Sequence, residues 1–125
     1  MINEGKENII ASKSYAFALE IIRLYKTLSN NKKEYVLSKQ ILRSGTSVGA
    51  NVHEAEASES KKDFIHKLGI ALKEIRETSY WLNLLKDSDY LTTEEFNKLI
   101  ALSNEIIKTL NSIIITTKQR YFPNS

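Results

Sequence analysis

Apolar residues return at intervals of three and four along almost the whole chain. Ile10, Phe17, Ile21, Leu24 and Leu28 fall on one side of a helical wheel, and so do Leu37, Ile41, Val48, Val52 and Ala55. The rhythm resumes with Phe64, Leu68, Ala71, Ile75, Leu82 and Leu85, and again with Phe96, Leu99, Ile106, Leu110 and Ile113. This is the spacing of amphipathic helices, not the strict alternation of half-buried strands. Polar stretches break it at "LSNNKK", "EASESKK" and "KDSDYLTTEE". Ser60 with Asp63, and Thr92 with Glu95, have capping-box spacing at the second and third of these breaks. The pattern predicts helices over about 8–29, 34–57, 61–87 and 93–119, followed by a short disordered tail. Short connections make consecutive helices antiparallel neighbours. The expected architecture is therefore one all-α domain over residues 1–125, an antiparallel up-down-up-down four-helix bundle.

The least helix-like stretch is "RSGTSVGANVHEAEAS", from Arg43 to Ser58, with Gly45 and Gly49 inside it. The apolar rhythm from Leu37 to Ala55 passes straight through, so it reads as helix. Each glycine there costs about 1 kcal/mol relative to alanine. Either another backbone approaches closely, or these are weak positions tolerated by packing. No strand precedes the stretch and no Gly-Lys-Ser/Thr follows, so a phosphate-binding loop does not fit.

Polar residues have a rhythm of their own. Gln40, Arg43, Ser47, Asn51, Glu54 and Ser58 fall within a sector of about 60°, centred roughly 110–120° from the core stripe. Such a line can form a hydrogen-bonded ladder, engage a neighbouring subunit, or simply face solvent. At a fully buried seam, removing one charged member would cost roughly 3–5 kcal/mol by leaving the other unpaired. Ile70, Trp81 and Leu84 lie off the core line of the third helix, on a face shared with Glu74 and Glu77. Apolar residues there mark either a second buried surface or a broad bundle core.

Composition narrows the picture little. The chain has 125 residues, 42% hydrophobic and 26% charged, which is enough for a core of its own. It has no Cys, so disulfides and thiolate metal sites are excluded. "MINEGKENII" does not have the form of a signal peptide, and no apolar run approaches the roughly 20 residues of a membrane span. A cytoplasmic protein without membrane association is expected. Net charge is +3, mildly basic. Arg23, Lys26, Lys32, Lys33, Lys39 and Arg43 stand against Glu34 alone between residues 23 and 43. Lys61, Lys62 and Lys67 fall with Lys118 and Arg120 at the other end of an antiparallel bundle, while Asp87, Asp89, Glu94 and Glu95 offset the first cluster. Lys32, Lys33, Lys39, Lys61 and Lys62 are the candidate contacts to RNA or DNA phosphates; the alternative is ordinary solvated lysines. Asp63 and His66 have the spacing of a bundle metal motif, but a second carboxylate-x-x-His is missing, so no metal or cofactor is expected. Ser47 has Arg43 and Asn51 as helical neighbours, neither a usable base, so a catalytic role is not expected.

The stretch "QILRSGTSVGANVHEAEASESKKDFIHKLGIALKEIRETSYWLNLL" resembles the family of the 23S rRNA intervening-sequence proteins. It is similar, more distantly, to the accessory variability proteins of diversity-generating retroelements. The pattern of Gln, Arg, Ser and Asn-x-x-Glu falls on Gln40, Arg43, Ser47, Asn51 and Glu54, with Phe64 and Ala71 in the following helix. Ala55 stands where many members have Gly. The resemblance implies a non-enzymatic four-helix bundle that assembles as a homopentamer and engages nucleic acid or a nucleic-acid enzyme. A protein-interaction scaffold without nucleic-acid affinity is the competing expectation. Gln40, Arg43, Ser47, Asn51, Glu54, Ile70, Trp81 and Leu84 are the candidate oligomer interface or polar ladder.

Overall fold

A computed structural model describes residues 4–124. Residues 1–3 and 125, which the expected domain includes, lie outside the described residues. Within these bounds four α-helices follow one another: α1 Glu4–Lys26, α2 Leu37–Glu56, α3 Lys61–Asp87 and α4 Thr93–Tyr121. No strand occurs among the described residues. Each helix packs on its neighbour in sequence, and α1 closes the ring against α4. This is the expected four-helix bundle.

The buried positions step by four and three with unusual regularity. In α3 they are Phe64, Leu68, Ala71, Ile75, Thr78, Leu82 and Leu85; in α4 they are Phe96, Leu99, Ser103, Ile106, Leu110, Ile113 and Thr117. A mean step of 3.5 residues keeps one seam facing inward along the full length of a helix that gently wraps its neighbours. Small hydroxyl residues fill the seam positions at which the apolar pattern lapses, and each finds a hydrogen-bond partner. Thr78 and Ser44 share a hydrogen bond of 2.8 Å between α3 and α2, and Ser79 meets Ser103 at 2.6 Å between α3 and α4. Ser14, Ser38 and Thr117 donate to carbonyls of their own turns.

Helix ends depart from the sequence expectation in α1, at the start of α2 and at the end of α4, and agree with it at the starts of α3 and α4. α1 begins at Glu4, not 8, and ends at Lys26, where the chain passes into a π-helical turn, Thr27–Asn31. Lys33 then adopts a left-handed conformation at φ 57°. α2 begins at Leu37, not 34, because the Glu34 carboxylate accepts from the N–H groups of Val36, Leu37 and Ser38 at 3.2, 3.1 and 2.7 Å. Burial pushes that carboxyl upward, but these N–H donors outweigh it and hold its pKa below the usual value. Ser60 caps α3 by accepting from Asp63 N–H at 3.0 Å. At α4 the full capping box forms, Thr92 and Glu95 exchanging bonds of 3.1 and 2.9 Å. α4 runs two residues beyond 119, to Tyr121.

The two glycines of α2 have different neighbours. A Cβ on Gly49 would meet the backbone carbonyl oxygen of Ser14 at 3.3 Å, so here α1 does approach by its backbone. A Cβ on Gly45 would meet the Ile21 side chain at 2.8 Å, a side-chain clash. Among the described residues α4 is the helix long and apolar enough to cross a membrane, by length and composition only. In the fold it lays one face into the bundle core.

Candidate functional site

Arg43 projects from α2 across to α3. Its guanidinium donates to Glu74 at 2.9 Å and also to Glu77. The Glu77 carboxylate accepts from the Trp81 indole N–H as well, at 2.9 Å. One carboxylate thus joins a cation and an aromatic ring from two helices. The Trp81 bond, then the Arg43 bond, hold the Glu77 carboxyl below its ordinary pKa against the opposing effect of burial. The Glu77 bond in turn raises the pKa of Arg43. Tyr80 sets its ring edge-on to Trp81, centroids 5.1 Å apart, and is itself 58% exposed.

The polar line on α2 is not a ladder within itself. Ser47 donates to the Arg43 carbonyl at 2.6 Å, and Asn51 to the Ser47 carbonyl at 2.8 Å, so both side chains close on their own helix. Glu54 crosses to α3, accepting from Lys67 at 3.1 Å. Gln40 is exposed. Two charged rungs therefore join α2 to α3, at Arg43 and at Glu54. Neither is deeply buried: the side chains of Arg43 and Glu54 are 50% and 56% exposed. Trp81 packs against the core from its edge, while Ile70 and Leu84 are half-buried on the same helix.

The five candidate lysines divide between two ends. Lys32, Lys33 and Lys39, all exposed, surround the α1–α2 connection. Lys61 and Lys62 begin α3 at the opposite end, separated by the length of a 27-residue helix, roughly 40 Å at 1.5 Å per residue. They cannot belong to one patch on a single chain. Lys32 lies near enough to Glu95 to help lower that carboxyl's pKa, after the bond from the Thr92 backbone.

At the α3 end the lysines have neighbours that periodicity alone left out of the site. Lys62 and Ile65 of α3 face Lys118 and Phe122 across a cleft of about 370 Å³. Phe122 is half-buried, and its N–H bonds the Lys118 carbonyl at 2.8 Å. Lys61 sits 5.0 Å from the centre of the Tyr121 ring, and the Arg120 guanidinium lies 6.0 Å from the same ring. The i,i+4 spacing of Lys118 and Phe122 was the available signal, hidden by ending the helix at 119. On the other side of the bundle a larger groove, about 720 Å³, runs between α1 and α2, with Ser14, Tyr15, Gly49, His53 and Glu56 on its walls. His66 is exposed, and no cluster of three metal-ligating side chains occurs among the described residues.

A family model described as 23S rRNA-intervening sequence protein matches residues 6–112. A crystal structure from Bacteroides thetaiotaomicron, described as a protein of unknown function from the S23 ribosomal protein family, superposes with a TM-score of 0.86 at 55% identity, covering 87% of this chain and 97% of that one. No curated protein matches.

Proposed function

The chain belongs to the family of 23S rRNA-intervening sequence proteins, and from that membership we propose that it is a non-catalytic, self-associating module that holds RNA through the basic ends of its bundle. The observation that carries this reading is that each end of the bundle holds exposed cations without a carboxylate partner. Lys13 pairs with Glu105, Arg23 and Lys98 with Glu20, Arg43 with Glu74 and Glu77, and Lys67 with Glu54, while Arg76 and Lys108 on the shaft have no ion pair among the described residues. At the ends, Lys33, Lys39, Lys62, Lys118 and Arg120 have no ion pair among the described residues. A charge already neutralised gains little from a phosphate; an unpaired one gains through release of the phosphate's counterions. The family's description names an rRNA, and the Bacteroides relative is assigned to a ribosomal protein family, so RNA is the partner to test first.

Self-association is supported by the α2–α3 face. It combines a half-exposed Arg, two carboxylates, an edge-exposed Trp and the half-buried Ile70 and Leu84. Aromatic residues and Arg are the enriched anchors of protein interfaces. The family resemblance supplies the number five. Copies in a ring would repeat each basic end and so multiply a weak phosphate contact.

The test is binding of rRNA fragments across a salt series. Affinity should fall steeply with salt and depend little on sequence. Charge reversal at Lys32, Lys33 and Lys39, and separately at Lys61 and Lys62, should each lower the salt slope by roughly one for every phosphate no longer engaged. Binding that ignores both sets would remove the RNA reading and leave a protein-interaction scaffold. Light scattering coupled to size exclusion tests assembly: a species of 14.3 kDa at micromolar concentration would overturn it, and a dimer or tetramer would overturn only the ring.

A further inference from the structure

We propose that the cleft between the start of α3 and the end of α4 is a nucleotide pocket that takes an unstacked base of single-stranded RNA, its phosphate held by Lys62 and Lys118. The proposal rests on the RNA reading above and assigns a site to it. Three observations meet at this cleft. Its rim is cationic: over residues 61–67 and 118–122 the charged side chains are Lys61, Lys62, Lys67, Lys118 and Arg120 against Asp63 alone. Lys67 is engaged with Glu54, whereas Lys62 and Lys118, the two that face the cleft, have no ion pair among the described residues. Its apolar lining comes from Ile65 and the Phe122 ring. Its volume, about 370 Å³, lies at the small end of ligand clefts.

Cations alone would accept any polyanion, including a duplex. An aromatic ring in the lining adds selectivity, because only a base released from its stack can lay its face on a ring. Tyr121, 41% exposed and flanked by Lys61 and Arg120, offers a second ring beside the first. Alternating rings and cations are what successive bases and phosphates require.

The experiment is fluorescence anisotropy with a labelled ten-nucleotide oligouridine and a labelled RNA duplex of ten base pairs, at low and moderate salt. Phe122→Ala should weaken oligouridine binding by about tenfold while changing duplex binding less than about twofold. Phe122→Trp should retain binding, and its added indole fluorescence should be quenched by oligouridine. Lys62→Ala with Lys118→Ala should weaken both ligands and reduce the salt slope. Circular dichroism checks that each variant keeps its helices. Equal loss of both ligands in Phe122→Ala, or no loss, overturns the pocket and leaves the wider RNA reading intact. No binding of either RNA by the unmodified protein at low salt overturns both. Binding only to anionic phospholipid vesicles overturns the proposal in favour of a membrane surface.

Discussion

Thr78 and Ser44 meet in the α2–α3 seam, both fully buried, and share one hydrogen bond. Thr78→Val keeps the shape but leaves Ser44 without its interhelical partner, so it should cost about 1–3 kcal/mol. Adding Ser44→Ala should recover part of that loss; urea denaturation measures both. Arg43 behaves differently because half of it faces water. Arg43→Ala should cost no more than about 1 kcal/mol in the isolated chain, since exposed pairs contribute little and Glu77 keeps Trp81. The larger penalty of roughly 3–5 kcal/mol belongs to a seam fully buried by a neighbouring copy, and would be read as weakened assembly rather than in the isolated chain. Glu77 also sets a pH dependence. Its folded pKa is depressed below the unfolded 4.5, so its contribution is present above that value and lost as pH falls through the folded one. Glu77→Gln should flatten the acid limb of a plot of urea midpoint against pH. The α2–α3 pairing was invisible beforehand for a simple reason: periodicity places Arg43 on a face, but not which helix that face meets. The buried hydroxyls were missed because Ser and Thr read as polar until a seam supplies their acceptors.

Among elements, the starts of α3 and α4 were legible in Ser60 and Thr92, whose side chains make bonds fixed by local spacing. The start of α2 was not, because Glu34 caps from three residues ahead of the helix and resembles no standard signal. Nor was the end of α4, where the Phe122 ring lies opposite α3 and extends the chain's order past its last apolar core position. Glycines separate cleanly by environment. Gly69 has nothing within 4 Å of an added Cβ, so Gly69→Ala should stabilise by up to about 1 kcal/mol through helix propensity. Gly45→Ala must displace Ile21 from a fully buried site, so it should destabilise by about 1–3 kcal/mol despite the same propensity gain. Thermal or urea unfolding of the two variants should show shifts of opposite sign.

For the molecule as a whole, four stripes with one period could close only around a common core, and that made the bundle readable from the apolar positions. The distribution of charge was readable only in part. Residues 61–62 and 118–120 could be assigned to one end, but the cleft between them depends on Phe122 facing Ile65. Val48, fully buried, offers the sharpest test of the core: Val48→Asp should abolish cooperative unfolding, because an unpaired buried carboxylate costs several kcal/mol. Lys108→Ala, at an exposed α4 position, should leave both stability and assembly unchanged.

The up-and-down order of the helices also bears on how quickly the chain finds its structure. Three of the four helix–helix seams join elements adjacent in sequence, and only the seam between α1 and α4 must wait for the ends of the chain to meet. Loop closure is therefore short for most of the core, the circumstance in which helical domains fold in microseconds to milliseconds. The single proline, Pro123, lies after the last helix, so isomerisation of its peptide bond is uncoupled from the core. Stopped-flow refolding of the chain at low concentration should show one fast exponential for the bundle, with no phase of tens of seconds, and any slower process should scale with protein concentration as subunits meet.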